Sequence, residues 1–391
     1  MRRASLVRLG VVTLCVVGAC TFDEKAVAVQ PAQVVVHAVL DPGTQEQEVL
    51  VERSLSGAVN IRKDQRFDAE DPINTGDGVP ISGAQVTITG PDGPVTGFEA
   101  PVTGRPPSYS SGRYIVQFGA GGAPPLRRGV RYQLRVRTPE GVVVTGTTVI
   151  PDIPPVGIGP RLDLFNRDRD SLRLTWRDVA GARSYLVRVE SPFGTFLLFT
   201  DSTHITLDGD LRNYFATSLQ RVFIPGFRQR VSVAAVDSNF FDYYRSRNDP
   251  FTGSGIINNL EGGIGLFGAA VNISSRTLDV VQNPREPALE GLWDVAQSPQ
   301  QIVDVLRLYV ETPGEPAALS GWYVQNRTSA VLEGMIGTRT NGRIVLELLV
   351  NQSAIDSVAV FSGEQRGDSL VGVFLGVTGR VIFLRRPSQS G

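Results

Sequence analysis

Both cysteines of this 391-residue chain, Cys15 and Cys20, lie within its first twenty residues. The remaining sequence can form no disulfide and offers no thiol for catalysis or for a metal ion. Its stability must therefore come from buried apolar side chains. The chain is long enough for two or three domains that each bury a core.

The N-terminal segment has the pattern of a bacterial lipoprotein signal. Three arginines flank or precede an apolar run, Leu9–Ala19, which is too short to cross a bilayer as a helix. The run ends Val17-Gly18-Ala19-Cys20, which resembles the lipobox, in which small residues precede a diacylated cysteine. We therefore expect residues 1–19 to be removed between Ala19 and Cys20. An ordinary secretory signal followed by a chance cysteine is the alternative, and the small residues disfavour it.

A lipid on Cys20 would hold the protein at a membrane without a transmembrane helix. Each buried methylene of an acyl chain contributes about 0.8 kcal/mol, so two or three chains on one cysteine suffice for stable anchoring. We expect residues 20–32 to form the lipidated tether.

Short alternating runs of Val, Ile, Thr and aromatic residues, separated by turns, predict an all-β protein. The 42 glycines and 25 prolines fit this pattern, and no βαβ alternation is visible. About six such runs predict an immunoglobulin-like β-sandwich over residues 33–150. Its first hairpin is expected to turn at Asp41-Pro42-Gly43. A proline-rich linker is predicted over 151–161.

A second sandwich is predicted over residues 162–282. The runs Ser171–Trp176, Ser184–Val189 and Arg230–Asp237 resemble strands B, C and F of a fibronectin type III module. The resemblance rests on a core tryptophan with a tyrosine on the next strand.

The last hundred residues have the pattern of a small antiparallel β-barrel, which we place at 288–386. Eight short alternating runs joined by brief polar turns predict an up-and-down meander that closes on itself. The start Gly291-Leu292-Trp293 resembles lipocalin and avidin barrels. This resemblance concerns architecture and assigns no ligand.

Three features together resemble an outer-membrane lipoprotein family, the domain of unknown function 4249. They are the stretch from Asp249 to Ala270, the strand start Ile81–Ala84 and the lipobox. The resemblance covers about residues 30–281. It implies a location in the cell envelope, often beside nutrient-import systems, and a binding or assembly role, but no enzymatic activity.

A dinucleotide fingerprint also occurs by letter, as Gly263-Ile264-Gly265-Leu266-Phe267-Gly268. Those glycines bind pyrophosphate only where a strand turns into a helix. The following residues, Val271–Ser274, show no helical period. We therefore expect no nucleotide site here.

Two acidic segments have partial calcium-ligand patterns. Asn166, Asp168 and Asp170 match the first three ligand positions of a calcium loop, but Arg177 stands at the closing position that requires a glutamate. We interpret this segment as a solvated connection. A second acidic loop is interpreted as a charged surface loop rather than a calcium site, and it contains Asp64, Asp68, Glu70, Asp71 and Asp77.

No catalytic constellation emerges from the remaining residues. His37 and His204 are the only histidines, and each lies in a predicted strand without a partner at metal spacing. The aromatic groups Phe240–Tyr244 and Trp322–Tyr323 could stack on sugars or line a ligand mouth. Packing in the core at strand ends is the expectation we favour.

The formal charge of −1 disfavours nucleic acid as a partner. We expect an envelope lipoprotein, anchored at the outer membrane, that acts as a non-enzymatic binding or scaffolding module accessory to nutrient import. Its partners would be the membrane, through the lipid, and an envelope protein or glycan, with no cofactor, metal or catalytic residue. The alternatives are a carrier of a small apolar or glycan ligand in the barrel and a carbohydrate-active hydrolase, whose paired carboxylates the sequence cannot single out.

Cys20→Ser is expected to move the protein from the membrane fraction to the soluble fraction, because the hydroxyl cannot form the thioether to the lipid. Cys15→Ser leaves the lipobox intact and serves as the control. Fractionation and the mass of the N-terminal peptide measure both effects. A Cys20→Ser protein that stays with membranes contradicts the prediction.

Overall fold

The computed structural model describes residues 32–54, 79–101, 111–153, 162–191, 194–208, 222–247, 257–298, 301–324, 333–349, 357–374 and 380–385. Within these ranges the chain forms 25 strands and one helix. The prediction of an all-β protein is confirmed.

The strands and the helix of the first three quarters are, in chain order, β1 (Val34–Leu40), β2 (Glu46–Arg53), β3 (Val79–Pro80), β4 (Gln85–Gly90), β5 (Gly93–Thr96), β6 (Phe98–Glu99), β7 (Arg113–Gln117), β8 (Arg131–Arg137), β9 (Val143–Val149), β10 (Leu162–Asn166), β11 (Ser171–Thr175), β12 (Ser184–Ser191), β13 (Gly194–Thr200), β14 (His204–Asp208), β15 (Arg228–Val236), α1 (Ser238–Arg247), β16 (Leu260–Glu261) and β17 (Ile264–Val281). The remaining strands are β18 (Gly291–Ser298), β19 (Gln301–Thr312), β20 (Ala317–Val324), β21 (Glu333–Thr340), β22 (Arg343–Leu349), β23 (Ser357–Arg366), β24 (Ser369–Phe374) and β25 (Arg380–Arg385).

Ten strands form one large sheet in the order β13-β12-β15-β17-β1-β2-β7-β6, with β10 also paired to β17 and β3 to β2. A second sheet has the order β16-β9-β8-β4-β5, and β11 pairs with β14 alone. Alternation explains the layers: in β8, Tyr132, Leu134 and Val136 are buried while the intervening residues are exposed. Buried residues from these sheets form one continuous apolar cluster.

The 18-residue strand β17 contributes to both predicted sandwiches. Its first third pairs in parallel with β1, from Val35↔Ile264 to Leu40↔Ala269. Its last third pairs in parallel with β10, from Leu162↔Thr277 to Asn166↔Val281. Strand β15 pairs antiparallel with β17, from Arg228↔Asp279 to Val236↔Ala270, with a bulge at Val233/Ala234. One strand therefore completes a sheet that spans residues on both sides of the predicted linker.

The C-terminal unit is a closed barrel in which β18 to β25 pair in sequence order and β25 returns to β18. The eight predicted runs are thus confirmed as eight strands. The barrel core consists of buried apolar side chains, namely Leu289, Trp293, Leu306, Leu308, Val310, Ala317, Leu319, Tyr323, Met335, Ile344, Leu346, Phe361, Leu370 and Phe383.

The outer wall of the barrel packs directly against the loop that precedes β15. Ile224, Phe227 and Leu349 form a buried cluster across this contact, which we term the seam. Two glycines, one in the wall and one in the loop, make room for this contact: a Cβ on Gly334 of the wall would overlap the Phe227 ring, and one on Gly226 of the loop would lie 2.6 Å from the Cα of Gly321. The barrel is therefore held against the second sandwich by side-chain packing.

Gly334→Ala is expected to destabilise the protein by about 1–3 kcal/mol, because the added methyl overlaps a buried ring. Phe227→Ala removes that ring, so the cost of Gly334→Ala should shrink in the Phe227→Ala background. Urea unfolding of the two single variants and the double variant measures the coupling. Phe98→Ala, at a residue 52% exposed, is the control and should change little. Additive effects of the two seam variants would contradict the packing described.

Candidate functional site

The predicted lipidation site, Ala19 and Cys20, lies outside the described residues. The same holds for the acidic loop from Asp64 to Asp77. Within the described part of the chain, no helix is both long and apolar enough to cross a bilayer.

The segment Asn166–Asp170 is the turn between β10 and β11, and hydrogen bonds link it to the residues that precede the barrel, here called the barrel entry. Asp168 accepts hydrogen bonds from the Arg285 guanidinium at 3.0 Å and from the backbone N–H of Asn283 at 2.9 Å. Asn166 also donates to the Asn283 side chain. The carboxylate oxygens of Asp168 thus accept hydrogen bonds from protein groups. Among the described residues, no three acidic, histidine or cysteine side chains are grouped so that they could hold a metal ion. The segment is partly buried against the barrel entry, which its charged sequence did not predict.

The two histidines lie on separate strands, as predicted. His37 of β1 is buried, with its ring centroid 5.9 Å from that of Tyr243 and 6.5 Å from that of Tyr244. His204 lies on β14 and is exposed. The structure therefore brings no histidine pair together.

The aromatic group at 240–244 lies on the helix α1, not at a strand end. The rings of Phe240 and Tyr244 stack with centroids 4.5 Å apart, and both are buried with Leu186 and Leu266. Packing in the core is confirmed, although the helix was not predicted. The i, i+4 spacing of the two rings was the available signal.

The glycine-rich stretch Gly263–Gly268 leads into strand β17, which continues to Val281, so no strand-to-helix turn follows these glycines. Its glycines permit close backbone approach. Gly265 has φ +128°, and a Cβ there would collide with the carbonyl oxygen of Val36.

Trp322 and Tyr323 point to opposite faces of β20. Tyr323 is buried in the barrel core, whereas Trp322 is half-buried on the outer wall. Because large side chains fill the described interior, an apolar ligand inside the barrel would have to displace core residues. This observation weighs against the carrier alternative.

A cavity of about 410 Å³ opens on the outward face of the large sheet. We term it the outer-face groove, and it is lined by Glu190, Ser191, Thr195, Arg228, Gln229, Arg230 and Thr277. Strand register creates it: Thr195, Glu190, Arg230 and Thr277 follow one another across β13, β12, β15 and β17. Their neighbours along β15, Gln229 and Val231, are buried.

The charges of the groove are paired within the protein. Arg230 donates two hydrogen bonds to Glu190, at 2.9 and 3.0 Å, and these bonds raise the pKa of the Arg230 guanidinium. Arg228 donates to Asp279 at 2.9 Å. Each guanidinium group is therefore oriented by a neighbouring carboxylate.

An apolar edge lies beside the groove. Leu162 and Leu164 of β10 are 53% and 71% exposed, and they pair in register with Thr277 and Asp279. The outward face thus combines fixed charges, hydroxyl groups and exposed leucines. The alternation of Arg228 and Arg230 with buried residues was the sequence signal for an exposed face, but the groove itself depends on distant strands.

Asp237 is a buried carboxylate that joins three elements. It accepts hydrogen bonds from the Thr148 hydroxyl of β9 at 2.5 Å and from the backbone N–H groups of Phe240 in α1 and Ala269 in β17. It is 4% exposed, and burial raises its pKa despite these bonds. Asp237 caps the helix and holds it to both sheets.

Comparison with known proteins gives one family. The family model described as a domain of unknown function (DUF4249) matches residues 21–276, which include β1 to β16, most of β17 and six of the seven residues that line the groove; Thr277 follows the match directly. No curated protein matches the chain.

Two variants distinguish the contribution of the Asp237 hydrogen bonds from that of its charge: Asp237→Asn removes the charge and keeps a hydrogen-bonding side chain, and Asp237→Ala removes both. Since the raised pKa makes the folded state bind more protons than the unfolded state, ionisation of Asp237 lowers stability as pH rises above about 4. Asn resembles the protonated acid, so its stability relative to wild type should rise between pH 4 and pH 8. Ala leaves buried donors unpaired and should cost about 1–3 kcal/mol or more throughout. Urea unfolding across this range tests both, and a pH-independent difference between Asn and wild type contradicts the account.

Proposed function

The chain belongs to the family of domain of unknown function 4249, and we propose that it is a lipid-anchored protein of the bacterial envelope that binds and positions a partner protein without catalysing a reaction. The outer-face groove is the observation that carries this proposal. Six of its seven lining residues lie within the part of the chain that the family model matches, and Thr277 follows that part directly.

The chemistry of the groove favours recognition. Arg228 and Arg230 are held by carboxylates, so they present fixed donors whose positions do not have to be ordered on binding. Exposed leucines beside a polar surface are the composition of protein–protein contacts, in which an apolar centre is surrounded by polar groups. A folded partner whose surface bears acidic groups and an apolar patch fits both features.

The rigid connection of the units supports a scaffolding role. Strand β17 runs through the large sheet, and the seam fixes the barrel against the second sandwich. A partner held at the groove is thereby held at a set distance from the barrel. The stretch from Cys20 to Val34 can extend to at most about 50 Å, which would keep the body near the membrane surface.

We place the protein at the outer membrane, as an accessory of nutrient import. The small, uncharged Thr21 after the lipobox cysteine is compatible with sorting to the outer membrane. The family resemblance, with its frequent proximity to import systems, supports an outer-membrane import protein as the partner.

A photo-crosslinking residue at position 277 tests the proposal in cells. It is expected to capture a specific envelope protein, whereas the same residue in place of exposed Thr89 on the other sheet should not. Leu164→Asp should reduce capture at position 277 by about tenfold, since a buried carboxylate without a partner costs more than 1.4 kcal/mol at an interface. Identical products from both positions, or none from position 277, contradict the proposed surface.

A further inference from the structure

The outer wall of the barrel carries a cation that the described residues do not neutralise. Arg307 of β19 is half-buried, and its Nε is buried without a hydrogen-bond partner. Among the residues the structure describes, no carboxylate forms an ion pair with it. Its guanidinium carbon lies 4.8 Å from the ring centroid of Tyr309. Arg285 and Arg339 are, by contrast, both paired with acidic side chains.

Three polar or aromatic side chains surround this cation on the same face. Arg307 pairs in register with Trp322, and Tyr309 pairs with Ser320. These four residues alternate with the core residues of their strands, so they share the outward face. Ser320 is fully buried, and its hydroxyl has no hydrogen-bond partner. A buried hydroxyl and a half-buried cation, both without partners, lie on adjacent strands.

The seam borders this group. Trp322 pairs in register with Gly334, the residue over which the Phe227 ring packs. Tyr309 is 4% exposed, whereas Trp322 and Arg307 remain accessible.

We propose that Arg307 and Trp322 bind a carboxylate-bearing sugar residue of an acidic glycan. The planar guanidinium matches the two oxygens of a carboxylate, and its stacking on Tyr309 fixes its plane. The indole presents a flat apolar surface to the C–H face of a pyranose ring. This site adds a ligand to the proposed function and requires neither the lipid anchor nor the protein partner.

Calorimetric titration of the purified full-length protein with trigalacturonate tests the inference. The matched probe is the methyl ester of the same trisaccharide, which keeps the sugar rings and removes the charges. We expect trigalacturonate to bind and the ester to bind at least about tenfold more weakly, since a charge-assisted bidentate contact is lost. Inorganic phosphate, a compact anion without a sugar face, should not compete at equal concentration.

Arg307→Gln should weaken trigalacturonate binding by about tenfold or more, and Arg307→Lys, which keeps the charge but loses the fork, should weaken it less. Arg343→Gln is the control, because that exposed arginine on the same barrel donates its side-chain hydrogen bonds to the Ser362 hydroxyl. Thermal melting of each variant shows whether it is folded, and the two wild-type probes give an answer if a variant is not. Equal affinity for the ester, unchanged affinity in folded Arg307→Gln, full competition by phosphate, or no binding at millimolar trigalacturonate would each overturn the inference. None of these results bears on crosslinking at the groove.

Discussion

The architecture depends on the pairing of strand β17 with strands from two distant parts of the chain. Val36 pairs with Gly265 and Leu162 pairs with Thr277, so both β1 and β10 complete their sheet only when the later strand is present. Long-range parallel pairing carries a large loop-closure cost. Its compensation is a continuous core that includes residues of both sandwiches.

Where distant parts of the chain approach each other closely, two positions have room only for glycine. At Gly265 a side chain would displace β1, and at Gly334 it would displace the loop before β15. Asp237 provides the polar counterpart, since it satisfies donors from a strand of each sheet and from α1 at once. A charge buried for this purpose costs free energy on ionisation, but its three bonds fix where the helix and the sheets meet.

Local features were predictable from the sequence. The hairpin of β1 and β2 forms around Asp41-Pro42-Gly43, and the eight barrel strands follow from alternation and turns within each run. The helix α1 was missed because only ten residues form it and its apolar residues resemble a strand end. The double role of β17 could not be predicted, since nothing in its own residues identifies partners more than a hundred positions away.

For the candidate sites, too, the sequence predicts local features but not which distant residues meet. Alternation places Arg228 and Arg230 on one face, but the groove arises from the register of four strands. Two-residue periodicity requires Trp322 and Tyr323 to face opposite sides, yet the choice of the inward residue depends on the closed barrel. Arg307 carries no sequence signal, because its missing partner is visible only when its surroundings are known.

Native-state hydrogen exchange of the β17 amides tests the central claim that this strand unites the two sandwiches. If it does, the β17 amides in the part paired with β1, such as that of Gly268, and those in the part paired with β10, such as that of Leu278, should behave alike. Both groups should exchange with the same opening free energy and the same denaturant dependence. Two separate opening free energies, with a smaller denaturant dependence for one third of the strand, would show that the sandwiches unfold independently and would contradict the account.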